Sequence, residues 1–182
     1  MMKKTLIVNL FAGPGCGKST GAAWLFSQLK LKGIDCEYVS EFAKDKVWEN
    51  NDEVFKCQFY VTGKQAFKIS RCFGKVDVII TDSPIAIGAQ YTESKKLADA
   101  ILEEFNKYEM YNYNVLLKRT KPYNPNGRHQ TEAEAVIIDL STQRWLDVNN
   151  ILYVSANGDE EGYKKILNNI LARIGYYDRK ED

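Results

Sequence analysis

Residues 12–20 of the chain read Ala12-Gly13-Pro14-Gly15-Cys16-Gly17-Lys18-Ser19-Thr20. An apolar run at residues 5–11 precedes this stretch and is typical of a buried strand, while residues 19–32 repeat apolar side chains at helical spacing. The stretch therefore joins a strand to a helix, which is the context in which the pattern G-x-x-x-x-G-K-[ST] forms a phosphate-binding loop (P-loop). Ala12 replaces the first Gly of that pattern, at a position that requires a small residue more than a positive φ angle.

The chemistry of this loop follows from its backbone and two of its side chains. Its glycines let the backbone N–H groups turn inward as a nest for phosphate oxygens, and the following helix adds the positive end of its dipole. Lys18 is expected to reach the β- and γ-phosphates, and the Ser19 hydroxyl is expected to bind Mg²⁺. The pattern does not distinguish ATP from GTP. The predicted cofactors are ATP and Mg²⁺, with the nucleotide held by Gly13, Gly15, Cys16, Gly17, Lys18, Ser19 and Thr20.

Strand-like and helix-like segments alternate along the whole chain. The strands are predicted at residues 5–11, 35–40, 76–81, 114–118 and 151–154. Helices are predicted at residues 19–32 and 53–71, on the stripe Leu97, Ile101, Phe105 and Tyr108, on the stripe Ala133, Val136, Ile137 and Leu140, and between residues 163 and 174. This alternation favours a mostly parallel sheet covered by helices on both faces. We therefore expect one α/β domain over residues 1–182, a three-layer αβα P-loop NTPase domain with five strands.

Composition narrows the function classes. Lys and Arg total 25 against 24 Asp and Glu, a formal net charge of +1, which argues against a uniformly basic nucleic-acid coat but leaves a local basic face open. The four cysteines form no C-x-x-C pair, so neither a zinc site nor a thioredoxin-like motif is indicated, and a reducing, cytoplasmic setting is expected. No apolar run reaches the 18 residues of a membrane span. The single histidine excludes a histidine metal cluster.

A second motif ends the strand predicted at residues 76–81. The run stays apolar until Asp82 appears at its carboxyl end, as in a Walker B strand, and in a parallel sheet that end lies beside the phosphate-binding loop. Asp82 is therefore a predicted Mg²⁺ ligand together with Ser19. Ile85 stands where a switch GTPase has Gly, and Ser83 stands where a hexameric ATPase has Glu, so both hydrolase classes are disfavoured. A regulatory P-loop ATPase or GTPase without a phosphoryl acceptor remains the alternative to a kinase.

The chain resembles the nucleoside and nucleotide kinases of the P-loop fold over essentially its whole length. The resemblance rests on residues 13–20, 39–41 and 81–84 and on an arginine-bearing loop between Arg119 and Arg128. The chain is most similar to a group of P-loop kinases common in bacteriophage genomes, through residues 11–19, 43–45, 81–84 and 121–128. Some phage kinases of this type phosphorylate 5-hydroxymethyluracil within DNA.

The resemblance implies a reaction and a role for each site residue. It implies transfer of the ATP γ-phosphate to a hydroxyl of a nucleoside or nucleotide, either free or a 5-hydroxymethylated pyrimidine in phage DNA. Glu41 matches the acid that takes the proton of the acceptor hydroxyl, with Asp82 as the competing general base. Residues 119–131 match a lid in which Arg119 and Arg128 contact the nucleotide and stabilise the transferring phosphoryl group. The acceptor and the oligomeric state stay undecided by the sequence.

Overall fold

The computed structural model describes residues 3–120, 122–123 and 131–176, and its centre is a five-stranded parallel sheet. The short, β-branched and apolar runs of the sequence form these strands because their side chains are buried on both faces of the sheet. The five strands are β1 (Leu6–Phe11), β2 (Cys36–Val39), β3 (Val78–Thr81), β4 (Asn112–Lys118) and β5 (Val154–Asn157), in the order β2-β3-β1-β4-β5. This arrangement confirms the predicted α/β fold class.

Six α-helices connect or follow the strands in the described part of the chain. They are α1 (Lys18–Leu31), α2 (Phe42–Trp48), α3 (Gln58–Ser70), α4 (Lys95–Asn106), α5 (Glu132–Val148) and α6 (Glu160–Arg173). Short 3-10 helices lie at Asp52–Lys56, Ile85–Tyr91 and Glu109–Tyr111. Within the described residues, none of these helices has the length and apolar character that a membrane crossing requires.

Alternate residues of β1 divide the core into two layers. Val8 and Leu10 pack into the layer of α1 and α6, while Ile7 and Phe11 pack into the layer of α3, α4 and α5. Because β1 is paired with β3 on one side and β4 on the other, it lies at the middle of the sheet. The loop that leaves β1 is therefore flanked by the loop that leaves β3 and the loop that leaves β4.

Two predicted helical segments differ from the structure. The segment expected as one helix at residues 53–71 is a 3-10 turn followed by α3, and the apolar side chain of Phe59 is 74% exposed. Gln65 lies on the buried face instead. Its amide oxygen accepts the Phe42 N–H at 3.0 Å, and its amide nitrogen donates to Thr81 Oγ1 at 3.3 Å, so the side chain turns inward. On α5 the expected apolar stripe also faces outward: Ile137 is 64% exposed and Leu140 is 65% exposed.

The last strand begins three residues later than its apolar run. Residues 151–154 were expected to form the strand, but β5 is Val154–Asn157. Ile151 belongs to the end of α5, because its N–H donates to the carbonyl of Leu146 at 3.0 Å after Asn150 takes a left-handed φ of 53°. Its burial therefore reflects helix termination rather than strand pairing.

Candidate functional site

The loop between β1 and α1 has the geometry of a phosphate cradle. Gly15 and Gly17 take φ angles of +83° and +92°, which L-residues with a Cβ rarely adopt. Gly17 also precedes the first turn of α1, whose amides have no acceptor within the helix and are free to bind an anion. Ser19 and Thr20 lie exposed on this first turn. The loop thus places backbone N–H donors around one point at the carboxyl end of β1, the middle strand of the sheet.

Lys18 folds back across this loop. Its ammonium nitrogen lies 2.7 Å from the carbonyl oxygen of Ala12 and 3.0 Å from that of Gly13. Burial lowers the pKa of Lys18, an effect that the carboxylates of Glu41 and Asp82 oppose. The side chain is therefore held at the cradle by neutral carbonyls, which a more strongly charged phosphate oxygen can replace.

On the β3 side of the loop, Asp82 is buried and bound by two donors. The hydroxyl of Tyr38, at the end of β2, donates to Asp82 Oδ2 at 2.8 Å, and the Glu41 N–H donates to Asp82 Oδ1 at 3.1 Å. Burial and then the neighbouring carboxylate raise the pKa of Tyr38, so its phenol stays a donor. Because each carboxylate oxygen has two lone pairs, each can still accept a metal ion or its water.

Glu41 follows β2 and stands beside the same carboxylate. No described residue donates a hydrogen bond to its side chain, in contrast to Asp82. Burial raises the pKa of the Glu41 carboxyl, the nearby Lys18 opposes that rise, and Asp82 adds to it. A half-buried carboxylate whose oxygens are unbound and whose proton affinity is raised is suited to general-base chemistry.

On the β4 side, Arg119 lies against the phosphate-binding loop. Its Nε donates to Asp139 Oδ2 at 2.9 Å, and Nη2 donates to the Pro14 carbonyl at 2.8 Å. Nη1 is buried without a hydrogen-bond partner among the described residues, and a Cβ added to Gly15 would lie 3.1 Å from it. An unpaired guanidinium N–H beside the cradle is a ready donor for an anionic ligand.

The loop after β5 completes the β4 side. The Gly158 N–H donates to the Lys118 carbonyl at 2.9 Å, and the Tyr163 hydroxyl lies 2.9 Å from the Gly17 carbonyl oxygen and 3.0 Å from that of Gly158. These contacts fasten α6 to the back of the phosphate-binding loop. A cleft of about 120 Å³ adjoins this region and is lined by Lys118, Ser155, Ala156, Asn157, Gly162 and Lys165.

The predicted site residues thus divide between two flanks of one loop. The Lys18 ammonium interacts electrostatically with the carboxylates of Glu41 and Asp82 on one flank. Arg119 lies on the opposite flank. Arg128 and most of the expected lid lie outside the described residues.

Sequence reasoning missed two contributors, Tyr38 and Asp139. Tyr38 carried a usable signal, since it lies in the strand that leads to Glu41. Asp139 carried a weaker one: it is a carboxylate on the same stripe of α5 as the buried residues Ala135, Thr142 and Leu146.

The residues present fit a magnesium-bound triphosphate. The cradle, Lys18 and the unpaired Arg119 Nη1 are cationic or N–H donors, while the Ser19 hydroxyl and the Asp82 carboxylate supply the oxygen ligands that Mg²⁺ prefers. No cluster of three His, Cys, Asp or Glu side chains suited to a metal occurs in the described residues. This composition suits Mg²⁺, which usually takes one or two protein oxygens and completes its shell with phosphate and water.

A family model described as an AAA domain matches residues 7–162, from β1 to the first turns of α6. No curated protein matches the chain. The matched span contains the phosphate-binding loop and both of its flanks.

Proposed function

The chain belongs to the AAA domain family, a P-loop nucleotide-binding type of domain, and from that premise we propose that it is a Mg-ATP-dependent kinase. In this proposal it transfers the γ-phosphate of ATP to a hydroxyl of a nucleoside- or nucleotide-type acceptor. The observation that carries the proposal is the Glu41 carboxylate beside Lys18 and Asp82, to which no described residue donates a hydrogen bond. An alcohol acceptor needs a base to take its proton, and a carboxylate of raised pKa supplies that base.

The proposed reaction is phosphoryl transfer from ATP to the acceptor oxygen, with Glu41 as the proton acceptor. The acceptor oxygen forms a bond to the γ-phosphorus while the bond between that phosphorus and the β,γ-bridging oxygen breaks, so ADP carries away the electron pair. The proton of the acceptor hydroxyl passes to the Glu41 carboxylate. Lys18 offsets negative charge on the transferring phosphoryl oxygens, which is where the transition state gathers it, while Arg119 binds the triphosphate equally in the ground and transition states.

Asp82 has a different role in this scheme. With both oxygens already bound by the Tyr38 hydroxyl and the Glu41 N–H, its carboxylate is fixed in orientation. Asp82 and Ser19 would hold Mg²⁺, which when bound neutralises phosphate charge and draws the β- and γ-phosphates into one orientation. The general-base role is thereby assigned to Glu41 rather than to Asp82.

The outward face of α3 favours an acceptor within a DNA strand, such as a hydroxymethylated pyrimidine. Phe59 and Phe67 are 74% and 64% exposed there, and the Lys64 ammonium lies 5.4 Å from the centre of the Tyr60 ring. Residues 58–71 carry Lys64, Lys68 and Arg71 and no Asp or Glu, whereas Lys56, before α3, is paired with Glu53 at 2.7 Å. Aromatic rings interleaved with cations suit stacked bases and a phosphate backbone. The face adjoins the acceptor side through Tyr60, whose ring contacts that of Phe42, the neighbour of Glu41.

Near the acceptor side, Lys46 is paired with Glu49 at 2.5 Å. The cations of α3 have no acidic side chain within their own segment.

Transfer of labelled γ-phosphate to a panel of acceptors tests the proposal. The panel contains free nucleosides, nucleotides and single-stranded oligonucleotides with and without a hydroxymethylated pyrimidine. We expect label in an acceptor, and Lys18→Ala is expected to remove it. We also expect Phe67→Ala to lower transfer to the oligonucleotide several-fold while Leu152→Ala, an exposed residue after α5, leaves it unchanged.

Two outcomes would contradict the proposal. Brisk ATP hydrolysis with no labelled acceptor would favour the regulatory P-loop hydrolase instead. Equal transfer to free nucleoside and oligonucleotide would retain the kinase and reject the polymeric acceptor.

A further inference from the structure

We infer that Asp139 of α5 is a positioning residue that joins the phosphate-binding loop to Arg119 and so sets the affinity for the triphosphate. The observation is one carboxylate with three donors from two elements. Oδ1 accepts the Gly13 N–H at 2.9 Å and the Cys16 thiol at 3.1 Å, and Oδ2 accepts Arg119 Nε at 2.9 Å. The inference rests on ATP binding in the proposed function but not on the identity of the acceptor.

The approach of α5 to the loop is too close for most residues. A Cβ added to Gly13 would lie 2.3 Å from Asp139 Oδ1 and 3.0 Å from the Ala135 carbonyl oxygen. Gly13, which occupies a variable position of the loop pattern, is thus required by the close approach of α5. The Gly13 N–H braces the loop from outside by donating to Asp139.

The Cys16 thiol is the second group of the loop that donates to the Asp139 carboxylate. Burial and then the hydrogen bond to Asp139 raise the pKa of the Cys16 thiol to about 12. The thiol therefore stays protonated and keeps donating, so it acts as a neutral strut rather than as a nucleophile.

Arg119 is held in one plane by two anchors at opposite ends of its guanidinium. Nε is fixed by Asp139 and Nη2 by the Pro14 carbonyl, which leaves the buried Nη1 as the group without a partner among the described residues. A planar fork fixed at two nitrogens presents the third in a defined direction. The ion pair is only partly exposed, with 14% and 23% of the two side chains accessible, so solvent screens it weakly.

These contacts assign Asp139 a task in nucleotide binding. If its charge is removed, the Arg119 fork loses an anchor, and Nη1 no longer has a fixed direction toward the cradle. The loss should appear in ATP affinity rather than in the rate of the chemical step, because Asp139 itself contacts neither the acceptor side nor Glu41.

A double-mutant cycle on ATP affinity tests this inference. Asp139→Asn, Arg119→Gln and the double variant are compared by equilibrium binding of ATP with no acceptor present. We expect each single variant to bind ATP about ten-fold more weakly, the loss typical of one charged hydrogen bond. The double variant should be no weaker than the weaker single variant, because both changes break one pair. Steady-state transfer should show the same change in KM for ATP with kcat nearly unchanged.

Asp147→Asn is the matched control. Asp147 lies on the same helix and accepts one hydrogen bond, from the Tyr153 hydroxyl at 2.9 Å, away from the loop. Its ATP affinity should equal that of the unaltered protein, and thermal melts report whether each variant is folded.

The possible results separate the inference from the proposed function. Unchanged affinity in Asp139→Asn, or losses that multiply in the double variant, would overturn the inference whether or not the protein transfers phosphate. An unaltered protein that binds ATP but labels no acceptor would overturn the kinase and leave the inference standing. If Asp139→Asn does not fold, Arg119→Lys tests the same fork: an unchanged ATP affinity overturns the inference, and a ten-fold loss supports it.

Discussion

The two flanks of the phosphate-binding loop differ in charge and in how their side chains are held. On the β3 flank, Glu41 and Asp82 bring two carboxylates together, and among the described residues donors bind Asp82 but not the Glu41 side chain. On the β4 flank, Arg119 is a cation fixed by a carboxylate and by a carbonyl of the loop. The first flank is thus suited to receiving a proton, and the second to holding an anion.

This difference separates nucleotide binding from proton acceptance at the carboxyl ends of the strands. Parallel strands place all their carboxyl ends on one side, so neighbouring loops meet over the end of β1. A donor that binds on the cationic flank and an acceptor that binds on the acidic flank then approach each other over Lys18. Two substitutions on the acidic flank, Glu41→Gln and Tyr38→Phe, and a pH series test whether that division is real.

The largest expected effect is that of Glu41→Gln. Without the carboxylate the acceptor hydroxyl loses its base, and transfer should fall by about 10²–10⁴-fold, while ATP affinity changes little. Labelled transfer and equilibrium ATP binding measure the two quantities on the same samples. If ATP affinity fell by the same factor as transfer, Glu41 would act in nucleotide binding, and the proposed difference between the two flanks would be wrong.

The same variant should be more stable than the unaltered protein at neutral pH. A carboxyl whose folded pKa is raised contributes its stability below its unfolded pKa and loses it as pH rises through the folded pKa. Glutamine carries no such cost, so the melting temperature at pH 7 should rise. The gap should close near pH 4, and a variant that melts lower than the unaltered protein at pH 7 would contradict this.

The pH dependence of transfer should have an acidic limb set by Glu41. Because burial raises the pKa of this carboxyl, the limb should lie above the ordinary range of a glutamate and fall about ten-fold per pH unit below it. Transfer at subsaturating acceptor, measured from pH 4.5 to 8, gives the limb. An identical limb in the residual activity of Glu41→Gln would assign it to another group.

Tyr38→Phe should have the smallest effect. It removes one donor from Asp82 but leaves the Glu41 N–H in place, so the carboxylate keeps one of its two supports. We expect transfer to fall about ten-fold, the lower end of what one hydrogen bond to a charged group contributes. The Mg²⁺ concentration for half-maximal transfer should rise, and an unchanged Mg²⁺ dependence would remove Tyr38 from the site.

Local patterns in the sequence carried most of the fold and half of the site. The strand, the loop from Gly13 and the helix after Lys18 are contiguous, so their chemistry could be predicted without knowing what surrounds them. Asp82 could be placed for the same reason, since the end of a strand in a parallel sheet has a known position. The apolar run at residues 151–154 misled because burial at a helix end and burial in a strand look alike in a sequence.

The amino-acid sequence by itself determined a phosphate cradle, its lysine and a parallel sheet, because each depends on neighbours within a few residues. Only the tertiary structure decided which of the two carboxylates accepts hydrogen bonds from the described residues, and that α5 turns Asp139 rather than Ile137 and Leu140 toward the phosphate-binding loop. The physical reason is distance along the chain: Gly13 and Asp139 are 126 residues apart, and Tyr38 and Asp82 are 44 apart. Contacts of that range form only when the strands and helices pack, so no local periodicity records them.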